Sequence, residues 1–188
     1  MQREVQLQVY DDLIPEALQD YFYTCIYGVA YGAKESYVEI FPTVDFKVKY
    51  EKTAKDEFGS PISFMHILKS NAELSPHLNN FSLVPQMVCS KINMELRDIL
   101  YARIFLTVPY ATSLDYHEPH IDLQYRHTVI IYYVNDSGGE TVFFDKQGKE
   151  IRRVMPKKGR VAVFDGFISH SAGIPTKDTR CIINYNIL

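Results

Sequence analysis

From about residue 99 onward the chain is a succession of short runs, each too brief and too β-branched for a helix. "LYARIFLTV", "HTVIIYYV", "ETVFF", "IRRVM", "RVAVF", "FISHSA" and "RCIINYNIL" are separated by "NDSGG", "DKQGK", "PKKG", "FDG" and "IPTKD". Branched and aromatic side chains suit a pleated, half-buried surface, and Gly, Pro, Asn and Asp supply the turn backbone between them. With the segment around "HEPHID" this makes about eight strands. Eight short antiparallel strands close into a double-sheet jelly roll or a barrel. The expected fold class is mostly β (α+β).

Residues 1–98 have a different texture. "LIPEALQDYFYTCIY" carries apolar residues at helical spacing and Pro15 at a first turn, which predicts a helix over 14–27. "YVEIFPTVDFKVKY" alternates and reads as extended, and "PISFMHILKS" reads as a strand. "SPHLNNFSLVPQMVCSKINMEL" reads as one or two helices, with Ser75 as the candidate cap. No repeat, low-complexity segment or linker divides the chain. A single domain over 1–188 is expected, with 1–98 as helical and extended support and 99–188 as the β core.

Composition removes several function classes. Net charge is −3, so nucleic-acid binding has no support at this level. The three cysteines form no CxxC pair, against a disulfide framework or structural zinc. The N-terminal "MQREVQLQVYDDLIPEALQD" is too polar for a signal peptide, and no apolar run reaches the roughly 18 residues of a membrane span. A soluble, cytoplasmic protein with no membrane partner is expected.

The candidate chemistry sits in "HEPHID". A strand puts residues i and i+2 on one face, so His120 and Asp122 would point together while Ile121 points away. Pro119 interrupts pairing and leaves His117 and Glu118 as secondary candidates. His170 in "FISHSAG", four strands on, can return beside them. Two histidines and a carboxylate on one face leave three positions of an octahedral metal open, the facial triad of non-haem Fe(II) oxygenases. Arg180 opens the last strand, sharing a face with Ile182, Asn184 and Asn186, while Cys181 and Ile183 share the other. Its planar fork suits a bidentate carboxylate. His127, by strand parity, points away from Asp122. His66 and His77 lie outside the β region and are read as structural or exposed.

"HID", "SHSAG" and "TRCIINYN" resemble the His-x-Asp, distal His and late Arg of Fe(II)/2-oxoglutarate-dependent dioxygenases. "TVIIYYVNDSGGETVFF" followed by "VMPKKGRVAVFDG" resembles the prolyl-4-hydroxylase-like branch. The resemblance covers about residues 98–188. It implies a double-stranded β-helix (jelly roll/cupin-like) with supporting N-terminal helices. It implies Fe(II) held by His120, Asp122 and His170, 2-oxoglutarate held by Arg180, O2 as oxidant, and ascorbate as a candidate addition. Tyr133 matches a position that contacts the co-substrate in the family, and Tyr110 lies near where relatives place a second such tyrosine. Tyr132 should face the other layer. Asn184 and Asn186 are candidate pocket residues.

Arg180 stands where collagen-type relatives use lysine. Asn186 stands where nucleic-acid demethylases carry a second arginine, and the retained Asp122 argues against halogenases. The implied activity is hydroxylation of an unactivated C–H bond with release of succinate and CO2, on a prolyl or other peptidyl substrate. A free small molecule or nucleobase as substrate, and a non-catalytic β-helix binding module, stay open as alternatives. The basic run "RRVMPKKGR" is read as a solvated hairpin.

Overall fold

The computed structural model describes residues 6–34, 37–41, 43–50 and 62–188. The first five residues of the polar N-terminus, Pro42 and Pro61 lie outside them. In chain order the elements are β1 (Gln8–Tyr10), α1 (Glu16–Tyr27), β2 (Val29–Lys34), β3 (Tyr37–Phe41), β4 (Lys47–Tyr50) and β5 (Ile62–Lys69). Next come α2 (Leu78–Phe81), α3 (Leu83–Lys91), β6 (Ile99–Thr107), β7 (Thr128–Tyr133) and β8 (Thr141–Phe144). The chain closes with β9 (Glu150–Val154), β10 (Val161–Asp165), β11 (Ser169–Ala172) and β12 (Arg180–Ile187).

A seven-stranded sheet runs in the order β1-β10-β7-β12-β6-β5-β4, and a three-stranded sheet in the order β11-β8-β9. β2 and β3 pair separately. The pairings are antiparallel. Strands from both halves of the chain thus join one large sheet. Period-two alternation gives it two different faces. On one face Ile130, Tyr132, Val161, Val163, Ile183 and Tyr185 pack against Phe22, Cys25 and Ile26 of α1 and Val84, Val88 and Cys89 of α3. Phe22 is fully buried between Phe81 and Tyr132. A side chain of this size stabilises by about 1.5–3 kcal/mol on burial. On the other face Val129, Ile131, Tyr133, Ala162, Phe164 and Ile182 meet Phe143 and Val154 of the small sheet. Two facing sheets with helices behind the larger one make the double-stranded β-helix.

The seven strands read from residue 99 onward are all present, and the first half keeps the expected order of helix, extended segment, strand and helices, with β1 and β2 in addition. Four local readings need correction. α1 starts at Glu16, because Pro15 has extended backbone (φ −55°, ψ 141°) and stands outside the first turn. Ser75 is not a helix cap, since α2 begins at Leu78 after His77. Its hydroxyl instead accepts from the His77 amide at 3.1 Å and bonds Nε2 of buried His66 at 2.9 Å. "HEPHID" is not a strand either: isolated bridges, Tyr116 with Gly173 just before it and His120 with His170 of β11, tie this segment down. Nor is the basic run a hairpin: it leaves β9 at the edge of the small sheet and crosses to β10 in the large one, with Arg153 on Asp115 and Glu150 and Arg160 on Asp11.

Candidate metal and co-substrate site

The two bridges do the work assigned to a strand. His120 and His170 are opposite residues exchanging both backbone hydrogen bonds, N–H to O at 3.0 and 2.9 Å. Directly opposed residues project to the same side, and the two rings lie 5.0 Å apart. Asp122 follows two residues on, its oxygens 3.6 Å from His120 Nε2 and 4.0 Å from His170 Nε2. One ligand atom from each of the three falls within 4.8 Å of the others.

The hydrogen bonds also choose the tautomer. His120 Nδ1 lies 3.1 Å from Glu118 O, and His170 Nδ1 lies 3.2 Å from Ile168 O. A carbonyl only accepts, so each Nδ1 carries the proton and each Nε2 lone pair faces the shared centre. Asn184 Nδ2 donates to Asp122 Oδ2 at 3.1 Å and orients the carboxylate. Burial alone would push the Asp122 carboxyl up. The neighbouring His120 and His170 imidazoles and the Asn184 donor outweigh it and hold the group well below the usual carboxylate range. Burial pushes the His170 imidazole down, toward its neutral, metal-ligating form. The donor set fits a divalent metal, with one side open: the His120 side chain is 54% exposed, that of His170 5%.

The centre opens into a cavity of about 540 Å³ against the large sheet. Arg180 lies in its wall and is only 2% exposed. Asn135 fixes the start of β12 by accepting from the Cys181 amide at 3.0 Å and donating to Thr179 O at 2.7 Å. Arg180 Nε donates to Gly139 O at 2.6 Å, and Nη2 to Thr141 Oγ1 at 2.9 Å. Gly139 has φ +74°, and a Cβ there would stand 2.6 Å from Gly173 O, so only glycine fits beside the guanidinium. Burial works against the charge of Arg180, yet no carboxylate among the described residues pairs with it. An anionic ligand would relieve that cost.

The structure brings together His120, Asp122, His170, Arg180 and Asn184 at one cavity. Tyr133 is on the correct face, with Tyr132 in the helix-side core as expected. It does not line the cavity; its hydroxyl donates to Thr141 Oγ1 at 2.7 Å, from behind. Asn186 is likewise one step removed, donating to Asn184 Oδ1 at 3.2 Å. Tyr110 is not among the lining residues. His127 is buried and outside the triad, but strand parity is not the reason: residues 121–127 form no strand. His170 sits on the fifth strand after the triplet, not the fourth. Thr141, which joins Arg180 to Tyr133, was not singled out in the sequence. Its only signal there is parity within "ETVFF", where it faces the same layer as Phe143.

Two histidines and one carboxylate within reach of one another, beside a buried arginine, match the ligand set of non-haem iron oxygenases. Residues 107–188 match the family model described as the 2OG-Fe(II) oxygenase superfamily. That segment, which runs from the end of β6 to the C-terminus, carries the pattern of this superfamily, whose requirements are Fe(II), 2-oxoglutarate and O2. No curated protein sequence matches the chain. Among solved structures it is similar to a prolyl-4-hydroxylase from Pseudomonas putida, with 15% identity over 97% of this chain and 92% of the other and a TM-score of 0.56. It is similar to a prolyl hydroxylase from Trichoplax adhaerens in complex with a hypoxia inducible factor peptide fragment, with 10% identity, 96% and 83% coverage and a TM-score of 0.56. It is also similar to SnoN, a non-heme alpha ketoglutarate dependent epimerase from nogalamycin biosynthesis, with 11% identity, 98% and 78% coverage and a TM-score of 0.61. The chain shares its fold with both prolyl hydroxylases and with the epimerase. Among the described residues no helix is long and apolar enough to cross a membrane.

Proposed function

We propose that His120 and His170, through Nε2, and Asp122, through its carboxylate, hold Fe(II), and that Arg180 receives the far carboxylate of 2-oxoglutarate. The chain then hydroxylates an unactivated C–H bond of a prolyl or other peptidyl substrate. The observation that carries this reading is a buried guanidinium, with no carboxylate partner among the described residues, in the same cavity wall as three convergent ligands.

The bound iron and co-substrate supply the oxidative decarboxylation that yields succinate and CO2 and the oxygen placed on the substrate carbon. The chain's own contribution is positional. Glu118 O and Ile168 O keep the Nδ1 protons in place, so both Nε2 atoms stay free to bind. Asn184 restrains the Asp122 oxygen that a metal would otherwise share with solvent. Thr141 Oγ1 accepts from Arg180 and Tyr133, so its own proton is left for a carboxylate resting on Arg180. Tyr133 therefore acts as a positioning residue, one hydrogen bond removed from the co-substrate. Tyr110 is assigned no contact. Phe143 and Phe164 pack on His170 and keep water from its inner side.

The prolyl assignment draws on the shared fold with prolyl hydroxylases, and the likeness to an epimerase keeps a free small molecule as the second reading. Both are tested together. Purified protein with Fe(II), 2-oxoglutarate and ascorbate is offered prolyl peptides and, separately, free proline. Succinate is then quantified, and products are weighed for one added oxygen atom. Iron-dependent succinate with an oxygenated peptide supports the proposal; oxygenated free proline alone moves the substrate to the second reading. Folded, iron-loaded protein that consumes no 2-oxoglutarate would leave a non-catalytic binding module.

A further inference from the structure

The cavity holds a second arginine that nothing in the 2-oxoglutarate reading uses. Arg103 lies on β6 and is the direct cross-strand partner of Asn184 on β12, whose amide holds Asp122. Cross-strand partners on one face have Cβ atoms about 4.5–5.5 Å apart, so the guanidinium stem starts beside the triad's second support. Arg180, four residues before Asn184 on β12, pairs instead with Thr107. The two arginines thus stand at different levels of the cavity wall, with Phe105 and Ile182 as the apolar row between them.

Arg103 also differs from the surface arginines in its partners. Arg97, Arg153 and Arg160 each pair with a carboxylate at 3.0 Å or less. Arg103 pairs with none among the described residues. Its Nε is buried without an acceptor, and its guanidinium is held over the Tyr101 ring at 5.0 Å. A buried donor left unmade is costly. The ring contact fixes the plane of the fork while leaving its donors for a ligand. Asp122 does not serve as that partner, being engaged by His120, His170 and Asn184.

We propose that Arg103 is the substrate anchor, and that the substrate carries an anionic group, a carboxylate or a phosphate, close to the carbon that is oxidised. The inference rests on the proposed use of this cavity and narrows its substrate class. A peptide would meet the requirement with an acidic or phosphorylated neighbour, or with its C-terminal carboxylate.

The test separates the anion site from the metal site. Protein is loaded anaerobically with Mn(II) and 2-oxoglutarate, with loading measured first, so that Arg180 is occupied. Acetate and inorganic phosphate are then titrated in separate calorimetric arms. One saturable site for at least one anion is expected; the arm that binds identifies the carboxylate or the phosphate source. Arg103→Gln is expected to weaken binding at least about tenfold, the loss of a charge-assisted fork. Arg103→Lys is expected to keep most of it, and it serves as the second variant should the glutamine form not fold. The same titration in metal-free Arg180→Gln protein, where Arg103 is the arginine left in the cavity wall, runs even if loading fails. Failed loading would count against the iron proposal alone. No saturable binding in either form, or equal binding in Arg103→Gln, would overturn the anchor.

Discussion

The two faces of β12 show how one strand serves two purposes. Cys181, Ile183, Tyr185 and Ile187 point into the helix-side core and are fully buried. Arg180, Ile182 and Asn184 point to the cavity, and two of these three are polar. The apolar face gains from burial without any directional requirement. The polar face gives up part of that gain so that a guanidinium and an amide stand at fixed heights. Because both faces share one backbone, the rigid core sets the precision of the site. Changes on one face should therefore move stability, and changes on the other should move ligand binding.

The largest expected effect lies on the site side. Asp122→Ala should abolish turnover while the thermal transition stays intact; turnover in that variant would remove the carboxylate from the triad. On the core side, Ile183→Ala should lower unfolding free energy by about 2–5 kcal/mol, as buried truncations do. Below its melting temperature the 2-oxoglutarate requirement should be unchanged, and a shifted requirement would erase the contrast between the faces. Arg180→Ala should raise the 2-oxoglutarate KM about a hundredfold, the loss of roughly 2–3 kcal/mol of charged hydrogen bonding. Asn184→Ala should cost about tenfold or more in metal affinity, typical of a group that orients a ligand.

The smallest effect belongs to neither face. Arg160 hydrogen-bonds Asp11 at 2.7 Å and lowers its carboxyl pKa. A depressed carboxylate stabilises the fold above its unfolded pKa, near 3.8, and loses that contribution as pH falls through the lower folded value. The pair is partly exposed, so Asp11→Asn should cost under about 1 kcal/mol at neutral pH. It should also flatten the stability slope below about pH 4, read from denaturation midpoints.

What the sequence revealed follows from how local each signal is. Strand runs such as "TVIIYYV" are legible because β-branching and alternation act within a few residues. The parity that sends Tyr132 to the core and Tyr133 to the site follows from the same rule. His120, Asp122, His170 and Arg180 could be singled out because their chemistry is unusual enough to survive large spacings. Thr141 and Arg103 could not. Each looks like an ordinary strand residue until a distant partner, Arg180 for one and Asn184 for the other, is brought beside it. The bridges of "HEPHID" were hidden for the same reason, since the opposing β11 supplies the pairing.

The central claim is that these four residues hold iron and 2-oxoglutarate together. The direct measurement is an anaerobic titration of the metal-free protein with Fe(II) and 2-oxoglutarate, followed by the visible metal-to-ligand charge-transfer absorption. The account predicts a saturable band that requires both additions and is lost in His170→Ala. Absence of the band in protein shown to be folded, or its persistence without His170, would contradict it.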